Sequence, residues 1–262
     1  TPMMGDALLD PHLLERLRLL AAHPEIRQIT MTTNAIALEE YSDDEVRLLL
    51  KTLFCLQVSI GGLDAETYRR MYGVDRFAQV MKSLERLERL RGELPQGAQL
   101  TFAFRTNDSK FEARFKNELA GFRSRGIFVS HMSIFANYAG GVSEVNHGEL
   151  SFARNQSRKK TTCISPRLSV AVCWDGRITA CGCADFEGDK LPLGRADRDD
   201  LAAVWSGEKR KAILRSFEKG KVYPICRNCS AYTPDTFFAE HCFDGIEPPK
   251  PLPVDFFHNM MT

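Results

Sequence analysis

The stretch 163-CISPRLSVAVCWDGRITAC-181 decides the fold of the C-terminal part of this chain. Between residues 168 and 174, large apolar residues alternate with smaller ones, as in a β-strand. The pair Asp175-Gly176 is a hairpin turn signal, and residues 177–181 lead back. We therefore predict a β-hairpin that presents Cys181, with Cys163 just before its first strand.

The cysteine spacing predicts a thiolate cage for a metal or an iron–sulfur cluster. Seven of the eight cysteines lie between residues 163 and 242. The tight pair Cys226 and Cys229 follows a helical stretch, so it can close a cage that Cys163 and Cys181 begin, with four sulfurs converging on one point. Disulfides and a zinc knuckle are alternative uses of these cysteines. Because zinc sites more often use two tight pairs, the single pair favours a cluster.

Composition and charge limit the remaining possibilities. The 262 residues have a formal net charge of +1 and are 44% hydrophobic, which suits one large and one small globular domain. The charges are scattered, so we expect no nucleic-acid partner, and we expect the short basic run Arg158-Lys159-Lys160 to be solvated. No run reaches the ~18 apolar residues of a membrane span, so we expect no membrane partner. Thiol ligands need a reducing compartment, which predicts the cytoplasm. Cys55 and Cys173 are interpreted as small buried hydrophobic residues.

The N-terminal part alternates helices with strands. Strands are predicted at residues 26–33, 54–60, 99–105 and 127–134, and amphipathic helices precede them. Ser42 and Glu45 match a capping box, and Asp64 can cap another helix. This order predicts a parallel sheet with helices outside it, closed or partly closed into a barrel. The predicted fold class is α/β, with a partial (β/α) TIM-like barrel in residues 1–160, a connector within 136–162, and a small cysteine-rich β-hairpin/α domain in 161–262.

Polar residues follow the predicted strands. Asn34, Ser59 and Arg105 stand at three strand ends, where the chemistry of such folds gathers. Each residue alone could be a turn or cap residue. Together they predict a polar rim that suits a ligand with a carboxylate, an amine and hydroxyl groups.

Both parts of the chain resemble radical S-adenosylmethionine (SAM) enzymes with a C-terminal SPASM domain or its shorter twitch form. The pattern Cys-x12-Gly-x4-Cys, a gap and Cys-x-x-Cys resembles that domain. Residues 4–11 resemble the Gly-Gly-Glu loop of the family, with Asp6 in place of the glutamate. Thr33-Asn34-Ala35 resembles its Thr-Asn-Gly, residues 58–62 resemble its Ser-Ile-Asp-Gly, and Asn137-Tyr138-Ala139-Gly140 matches its Asn-x-Ala-Gly.

The resemblance implies an enzyme that cleaves SAM to a 5′-deoxyadenosyl radical, which abstracts hydrogen from a substrate. By this resemblance, Gly5 and Asp6 would bind the SAM amino group. Ser59 and Arg105 would bind its carboxylate or ribose, and Asn34 would form part of the polar rim. The family's SAM-binding [4Fe–4S] cluster uses Cys-x3-Cys-x2-Cys, and no cysteine precedes Cys55. We therefore expect those ligands upstream of Thr1, and the alternative is a degenerate member that cannot cleave SAM. A small-molecule or peptide substrate and a flavodoxin- or ferredoxin-type electron donor are also implied.

The resemblance further implies one auxiliary [4Fe–4S] cluster on Cys163, Cys181, Cys226 and Cys229. Cys183 and Cys242 are the alternative ligands, either at a swapped position or at a second, degenerate site. Because the cysteine region follows the last barrel strand, we expect it to cover the open mouth of the barrel and to accept an electron from the substrate radical. The net reaction would then be a two-electron oxidation, such as alcohol to ketone. A radical SAM maturase that modifies peptides or proteins, and a non-catalytic zinc-binding scaffold, are the alternatives.

Overall fold

The structure, a computed structural model, describes residues 5–106, 108–140, 151–153, 159 and 161–236. The chain divides into two compact units, Thr1–Ser133 and Ile134–Thr262. Residues 134–160, which include most of the predicted connector, therefore group with the second unit, whereas the predicted domain boundary lies after residue 160.

The first unit contains a parallel sheet of four strands. These are β1 (Thr30–Thr33), β2 (Cys55–Ile60), β3 (Gln99–Arg105) and β4 (Phe128–Met132). They lie in the order β1-β2-β3-β4, and every neighbouring pair is parallel. Strands that follow one another in sequence and in space, with helices between them, form the α/β arrangement of a barrel segment. The predicted α/β fold class is confirmed, although β1 begins four residues later than the predicted strand.

The helices of the first unit are α1 (Leu13–Ala21), α2 (Asp43–Thr52), α3 (Ala65–Tyr72), α4 (Phe77–Leu90), α5 (Phe111–Arg114) and α6 (Lys116–Ser124). Both predicted caps are present. Ser42 and Glu45 make the reciprocal capping box of α2, and the Asp64 carboxylate accepts the Thr67 N–H at 2.8 Å. These bonds satisfy backbone donors that a helix leaves unpaired at its start. The sequence therefore fixes where α2 and α3 begin.

The core of the first unit lies between its sheet and its helices. Leu56, Val58 and Ile60 alternate along β2 and are fully buried, as are Phe102 and Phe104 on β3. Burial of each such side chain stabilises the fold by roughly 1.5–3 kcal/mol. Because all four strands run in the same direction, their C-terminal ends meet at one edge of the sheet.

The second unit contains a parallel strand pair and a small antiparallel sheet. The pair is β5 (Ile134–Phe135) with β6 (Ser151–Phe152), and the sheet is β7 (Ala171–Val172), β8 (Arg177–Thr179) and β9 (Pro192–Arg195), in the order β7-β8-β9. Its helices are α7 (Ile164–Leu168), α8 (Leu201–Ser206), α9 (Glu208–Glu218) and α10 (Pro224–Asn228). The end of the predicted strand 127–134 was wrong, because β4 ends at Met132 and Ile134 begins the separate strand β5.

The predicted hairpin is confirmed between β7 and β8, but its first strand is shorter than predicted because Leu168 ends α7. Gly176 has φ +85, a value that glycine adopts without strain. The Cys173 N–H donates to the Arg177 carbonyl at 2.7 Å and closes the turn. Among the helices that the structure describes, none is both long and apolar enough to cross a membrane.

Candidate metal centre and strand-end site

Four cysteines of the second unit line one cavity. Cys163 is the N-cap residue of α7, Cys181 follows β8, Cys226 lies in α10 and Cys229 is its C-cap. The cavity encloses about 350 Å³ of empty space, part of it open to solvent. The remaining lining residues are Pro166, Ala184, Leu191, Phe217, Ile225 and Tyr232. The structure thus brings together the four cysteines that the sequence predicts as ligands.

The donor set of this cavity fits an iron–sulfur cluster. Its ligating groups are thiols, and the residues between them are apolar apart from the Tyr232 hydroxyl. A [4Fe–4S] cluster binds one thiolate at each iron, in a dry site that hydrogen bonds to sulfur help to tune. Within the described residues, no group of three His, Cys, Asp or Glu side chains is arranged to hold a single metal ion. The four cysteines share a cavity rather than one coordination point.

Burial and mutual repulsion oppose ionisation of most of these thiols. Burial raises the pKa of Cys226 to about 12 and the pKa of Cys229 to about 11, and it also raises the pKa of Cys163. A hydrogen bond from the Cys183 thiol lowers the pKa of Cys181. The Ser165 hydroxyl, 3.4 Å from the Cys181 sulfur, acts in the same direction. Cys181 is therefore the thiolate that this chain stabilises best without a cation.

Cys183, Cys55 and Cys173 are not among the residues that line the cavity, although the Cys183 thiol donates to the Cys181 sulfur. Cys183 is exposed, and its bond to the Cys181 sulfur raises its own pKa. Cys242 lies outside the described residues. Cys55 and Cys173 are half-buried rather than fully buried as predicted, and the Cys173 sulfur lies 3.8 Å from the Phe186 carbonyl oxygen. That Cys55 and Cys173 serve only as small hydrophobic residues stays a prediction.

Lys159 was missed by the sequence prediction, which placed it in a solvated basic run. Only 8% of Lys159 is exposed, and its ammonium donates to the Cys229 carbonyl at 2.8 Å. The same Nζ lies 4.7 Å from the centroid of the Tyr232 ring, a cation–π distance. Burial lowers the pKa of Lys159, while Cys229, Cys163 and Cys226 act to raise it. No local pattern separates such a buried lysine from its basic neighbours in sequence.

The Asn-x-Ala-Gly motif also supports the cysteine cavity. The backbone N–H of Asn137 donates to the Ser230 hydroxyl at 2.7 Å, and its side chain accepts the Ser230 N–H at 3.0 Å. The Asn137 amide also donates to the Asn228 carbonyl at 3.0 Å. These three bonds hold the chain on both sides of Cys229.

At the strand ends of the first unit, Asp6 is already engaged by the protein. Its carboxylate accepts the Thr33 hydroxyl at 2.7 Å, the Asn34 N–H at 2.6 Å and the Leu8 N–H at 3.0 Å. The Asn34 side chain accepts the Ile36 N–H at 2.9 Å, and Gly5 has φ +79. Asp6 therefore fixes the loop after Gly5 against the end of β1. Contact of Gly5, Asp6 and Asn34 with a ligand stays a prediction.

Ser59 and Arg105 lie at the same edge, together with Tyr72. The hydroxyl groups of Ser59 and Tyr72 are 3.0 Å apart. Burial raises the pKa of Tyr72, whereas the Ser59 hydrogen bond and the charge of Arg105 lower it, and Asp6 raises it. The buried Nε of Arg105 has no hydrogen-bond partner among the described residues. Tyr72 was missed because a tyrosine at the end of a helix gives no ligand signal in sequence.

Comparison with known families identifies the C-terminal region. Residues 163–230 match the family model of SPASM, an iron–sulfur cluster-binding domain. This region of the chain is therefore similar to the SPASM iron–sulfur cluster-binding domain. The match includes the four cysteines of the cavity and Cys183, whereas Lys159 precedes it.

Two curated proteins similar to part of this chain are GTP 3′,8-cyclases. The protein from Pasteurella multocida (strain Pm70) is 33% identical over 82 residues, which are 31% of this chain and 23% of the relative. The protein from Chlorobaculum tepidum (strain ATCC 49652 / DSM 12025 / NBRC 103806 / TLS) is 35% identical over 83 residues, or 32% and 24%. The chain thus spans about a quarter of the length of these relatives.

Two solved structures are similar to this chain at low identity. BtrN in complex with AdoMet and 2-DOIA is 16% identical, with 84% of this chain and 79% of BtrN covered and a TM-score of 0.47. Native anSMEcpe with bound AdoMet is 15% identical, with 76% and 63% covered and a TM-score of 0.45.

Proposed function

We propose that this chain is a radical SAM oxidoreductase that removes two electrons from its substrate with the help of an auxiliary [4Fe–4S] cluster. The observation that carries the proposal is the convergence of Cys163, Cys181, Cys226 and Cys229 on one largely apolar cavity. Four cysteine ligands leave no iron open to a substrate, so when bound the cluster supplies electron transfer. The apolar lining would limit contact between water and the thiolates.

The strand-end residues would hold SAM. Asp6 fixes the loop at Gly5, and its carboxylate keeps a negative charge at the edge for the SAM amino group. Arg105 offers a buried Nε donor without a partner among the described residues, which suits a carboxylate. Ser59 and Asn34 supply polar groups at the same edge. When bound to its own [4Fe–4S] cluster, SAM supplies the radical that takes a hydrogen atom from the substrate.

The supporting partners follow from this chemistry. A flavodoxin- or ferredoxin-type protein would deliver the electron that SAM cleavage requires. Thiolate ligands survive in a reducing compartment, so we place the reaction in the cytoplasm. The substrate is a small molecule or a peptide, and the maturase alternative shares the same cysteine site.

The first test is the iron and sulfide content of the anaerobically reconstituted chain. We expect a brown protein in which Cys226→Ala loses the auxiliary cluster, because a buried cluster that lacks one ligand leaves the others uncompensated. Cys55→Ser and Cys173→Ser are matched controls that should keep full iron content. Full iron in Cys226→Ala would contradict the ligand set, and a colourless zinc protein would favour the scaffold alternative.

The second test is the mass balance of the reaction. Hydrogen-atom abstraction followed by loss of one electron and one proton gives a product two hydrogens lighter, with one 5′-deoxyadenosine released per product. Mass spectrometry of product and nucleoside measures both. A product of unchanged mass, formed while the auxiliary cluster is intact, would exclude the oxidation.

A further inference from the structure

The side chain of Tyr72, the last residue of α3, packs against the C-terminal end of β2. Its hydroxyl oxygen lies 3.0 Å from the Ser59 hydroxyl oxygen, and its ring lies beside the backbone of Gly61. A Cβ added at Gly61 would lie 2.6 Å from Cδ2 of Tyr72, which is too close for packed carbon atoms. The ring centroid of Tyr68 lies 5.0 Å away on another side. The tyrosine ring is therefore held at this strand end by its packing.

Two opposite charges lie within electrostatic reach of the Tyr72 hydroxyl. The Arg105 guanidinium lowers the pKa of Tyr72, and the Asp6 carboxylate raises it. The Asp6 carboxylate already accepts hydrogen bonds from the protein, whereas the buried Nε of Arg105 has no acceptor among the described residues. A buried donor without an acceptor is costly. This edge of the sheet therefore offers an N–H donor and a positive charge to an anionic group.

The direction of the hydrogen bond between Tyr72 and Ser59 decides what Ser59 can bind. Either hydroxyl can be the donor in this bond. A phenol, with a pKa near 10, is more acidic than an aliphatic hydroxyl, so Tyr72 is the better donor and the poorer acceptor. With Tyr72 as donor, Ser59 keeps its own O–H for another group. Ser59 and Arg105 would then both present donors, which suits a carboxylate.

Resting on the proposed function, we propose that Tyr72 is a positioning residue that directs the Ser59 hydroxyl proton toward the carboxylate of SAM. Tyr72 does not bind the ligand itself. It fixes the rotamer and the donor direction of Ser59, which shares the carboxylate with Arg105. A donor that is oriented before the ligand arrives loses less rotamer freedom on binding. A ribose hydroxyl can donate as well as accept, so it would not need this fixed direction.

The test is calorimetric binding of S-adenosylhomocysteine to the anaerobically reconstituted protein. This probe carries the carboxylate, the amine and the ribose of SAM but lacks the sulfonium whose cleavage gives the radical. The matched probe is 5′-methylthioadenosine, which keeps the ribose and lacks the carboxylate. The variants are Tyr72→Phe, Ser59→Ala and the two combined. Tyr68→Phe is the matched control, because it removes a buried hydroxyl from the neighbouring tyrosine ring.

We expect Tyr72→Phe to weaken binding of S-adenosylhomocysteine roughly three- to tenfold, the effect of one lost hydrogen bond. Ser59→Ala should weaken it at least as much. Adding Tyr72→Phe to Ser59→Ala should change the affinity little further, because the tyrosine acts through the serine. Tyr72→Phe should leave binding of 5′-methylthioadenosine unchanged, and Tyr68→Phe should match the wild type with both probes.

The contrary outcomes separate this inference from the proposed function. Equal affinity of Tyr72→Phe and wild type for S-adenosylhomocysteine would overturn the positioning role and leave the SAM site in place. Equal weakening of both probes, or additive losses in the double variant, would show that Tyr72 only supports the fold, which also overturns it. If the wild-type protein binds neither probe, the proposed SAM site fails and this inference fails with it.

Discussion

At the scale of single residues, Asp185 holds the loop that follows Cys181. This carboxylate is 2% exposed, and it accepts the Thr179 hydroxyl at 2.6 Å and the Leu191 N–H at 2.7 Å. Its other oxygen accepts the N–H groups of Asp189 and Lys190, both at 3.1 Å. The loop between β8 and β9 is therefore folded around one buried charge.

We predict that Asp185→Asn lowers the free energy of unfolding of the second unit by about 3 kcal/mol, because an amide offers one acceptor atom to four donors. Urea unfolding and iron content measure the effect. Asp197→Asn, at an exposed aspartate that pairs with Arg195, is the control and should change little. Equal stability of Asp185→Asn and wild type would contradict this role.

Tyr68 should make the stability of the first unit depend on pH in alkaline solution. It is fully buried, and burial raises its pKa from 10.0 to about 12. Between these values the unfolded chain has lost the proton while the folded chain keeps it. Protonated Tyr68 therefore makes its full contribution to the free energy of unfolding below pH 10. This contribution, on the order of 2 kcal/mol, is lost as the pH rises through 12.

Tyr68→Phe should flatten this alkaline decline in thermal or urea unfolding. At pH 7 it should cost little, because the Tyr68 hydroxyl has no hydrogen-bond partner among the described residues. Tyr72→Phe is the comparison, since it removes the hydroxyl that meets Ser59. A Tyr68→Phe curve parallel to wild type above pH 10 would refute the assignment.

The four cavity cysteines could be predicted because thiols are rare and their spacing is constrained. Lys159 and Asp185 could not, since charged residues are common and nothing local distinguishes a buried one. Their burial depends on distant residues, such as Cys229 and Tyr232 for Lys159 and Leu191 for Asp185. Sequence thus predicts which cysteines line the cavity better than it predicts the buried charges around them.

At the scale of elements, Arg210 of α9 joins two other helices. Its guanidinium donates to the carbonyls of Pro166 and Arg167 in α7 and of Trp205 in α8, and it stacks 3.6 Å from the Trp205 ring centroid. The last carbonyls of a helix have no hydrogen-bond partner within that helix. The several N–H donors of a guanidinium can pair with them. Because α7 begins directly after Cys163, Arg210 also positions that ligand.

We predict that Arg210→Met lowers the free energy of unfolding by about 3 kcal/mol, as buried carbonyls lose their donors. Arg210→Lys should recover part of the loss, since a single ammonium cannot reproduce the planar fork. Iron content should fall in the same order in reconstituted protein. Arg215→Met, at a surface arginine that pairs with Glu208, provides the matched control. Full iron content and wild-type stability in Arg210→Met would show that Arg210 is not needed to hold α7 and α8 against α9.

Element types were predicted well where a long pattern supports them. The capping box at Ser42 and the alternation along β2 gave correct elements, because local hydrogen bonds and burial agree there. Residues 164–168 form a helix although alternation predicted a strand from Leu168. Five residues are too few for the periodicity of apolar residues to distinguish a helix from a strand. The helix at residues 164–168 is instead supported by hydrogen bonds from Arg210.

At the scale of the whole chain, the two units differ in how much core supports them. Among the described residues, the apolar core of the first unit has twenty-six buried members and that of the second unit has eight. Four of the eight, Cys181, Leu191, Phe217 and Tyr232, also line the cysteine cavity. Small cores commonly need a metal or disulfide for stability. The second unit should therefore depend on its cluster, and the first should not.

We predict that removal of the cluster by anaerobic chelation unfolds the second unit selectively. Hydrogen exchange should accelerate across β8, β9 and α9, because folding there is coupled to ligand binding. Protection of β2 and β3 should persist, since their buried residues belong to the larger core. The Cys226→Ala chain, which we expect to lack the cluster from the start, should show the same pattern without chelator. Equal loss of protection in both units would mean that they unfold as one cooperative body, and unchanged exchange in β8 and β9 would mean that the small core stands without its cluster.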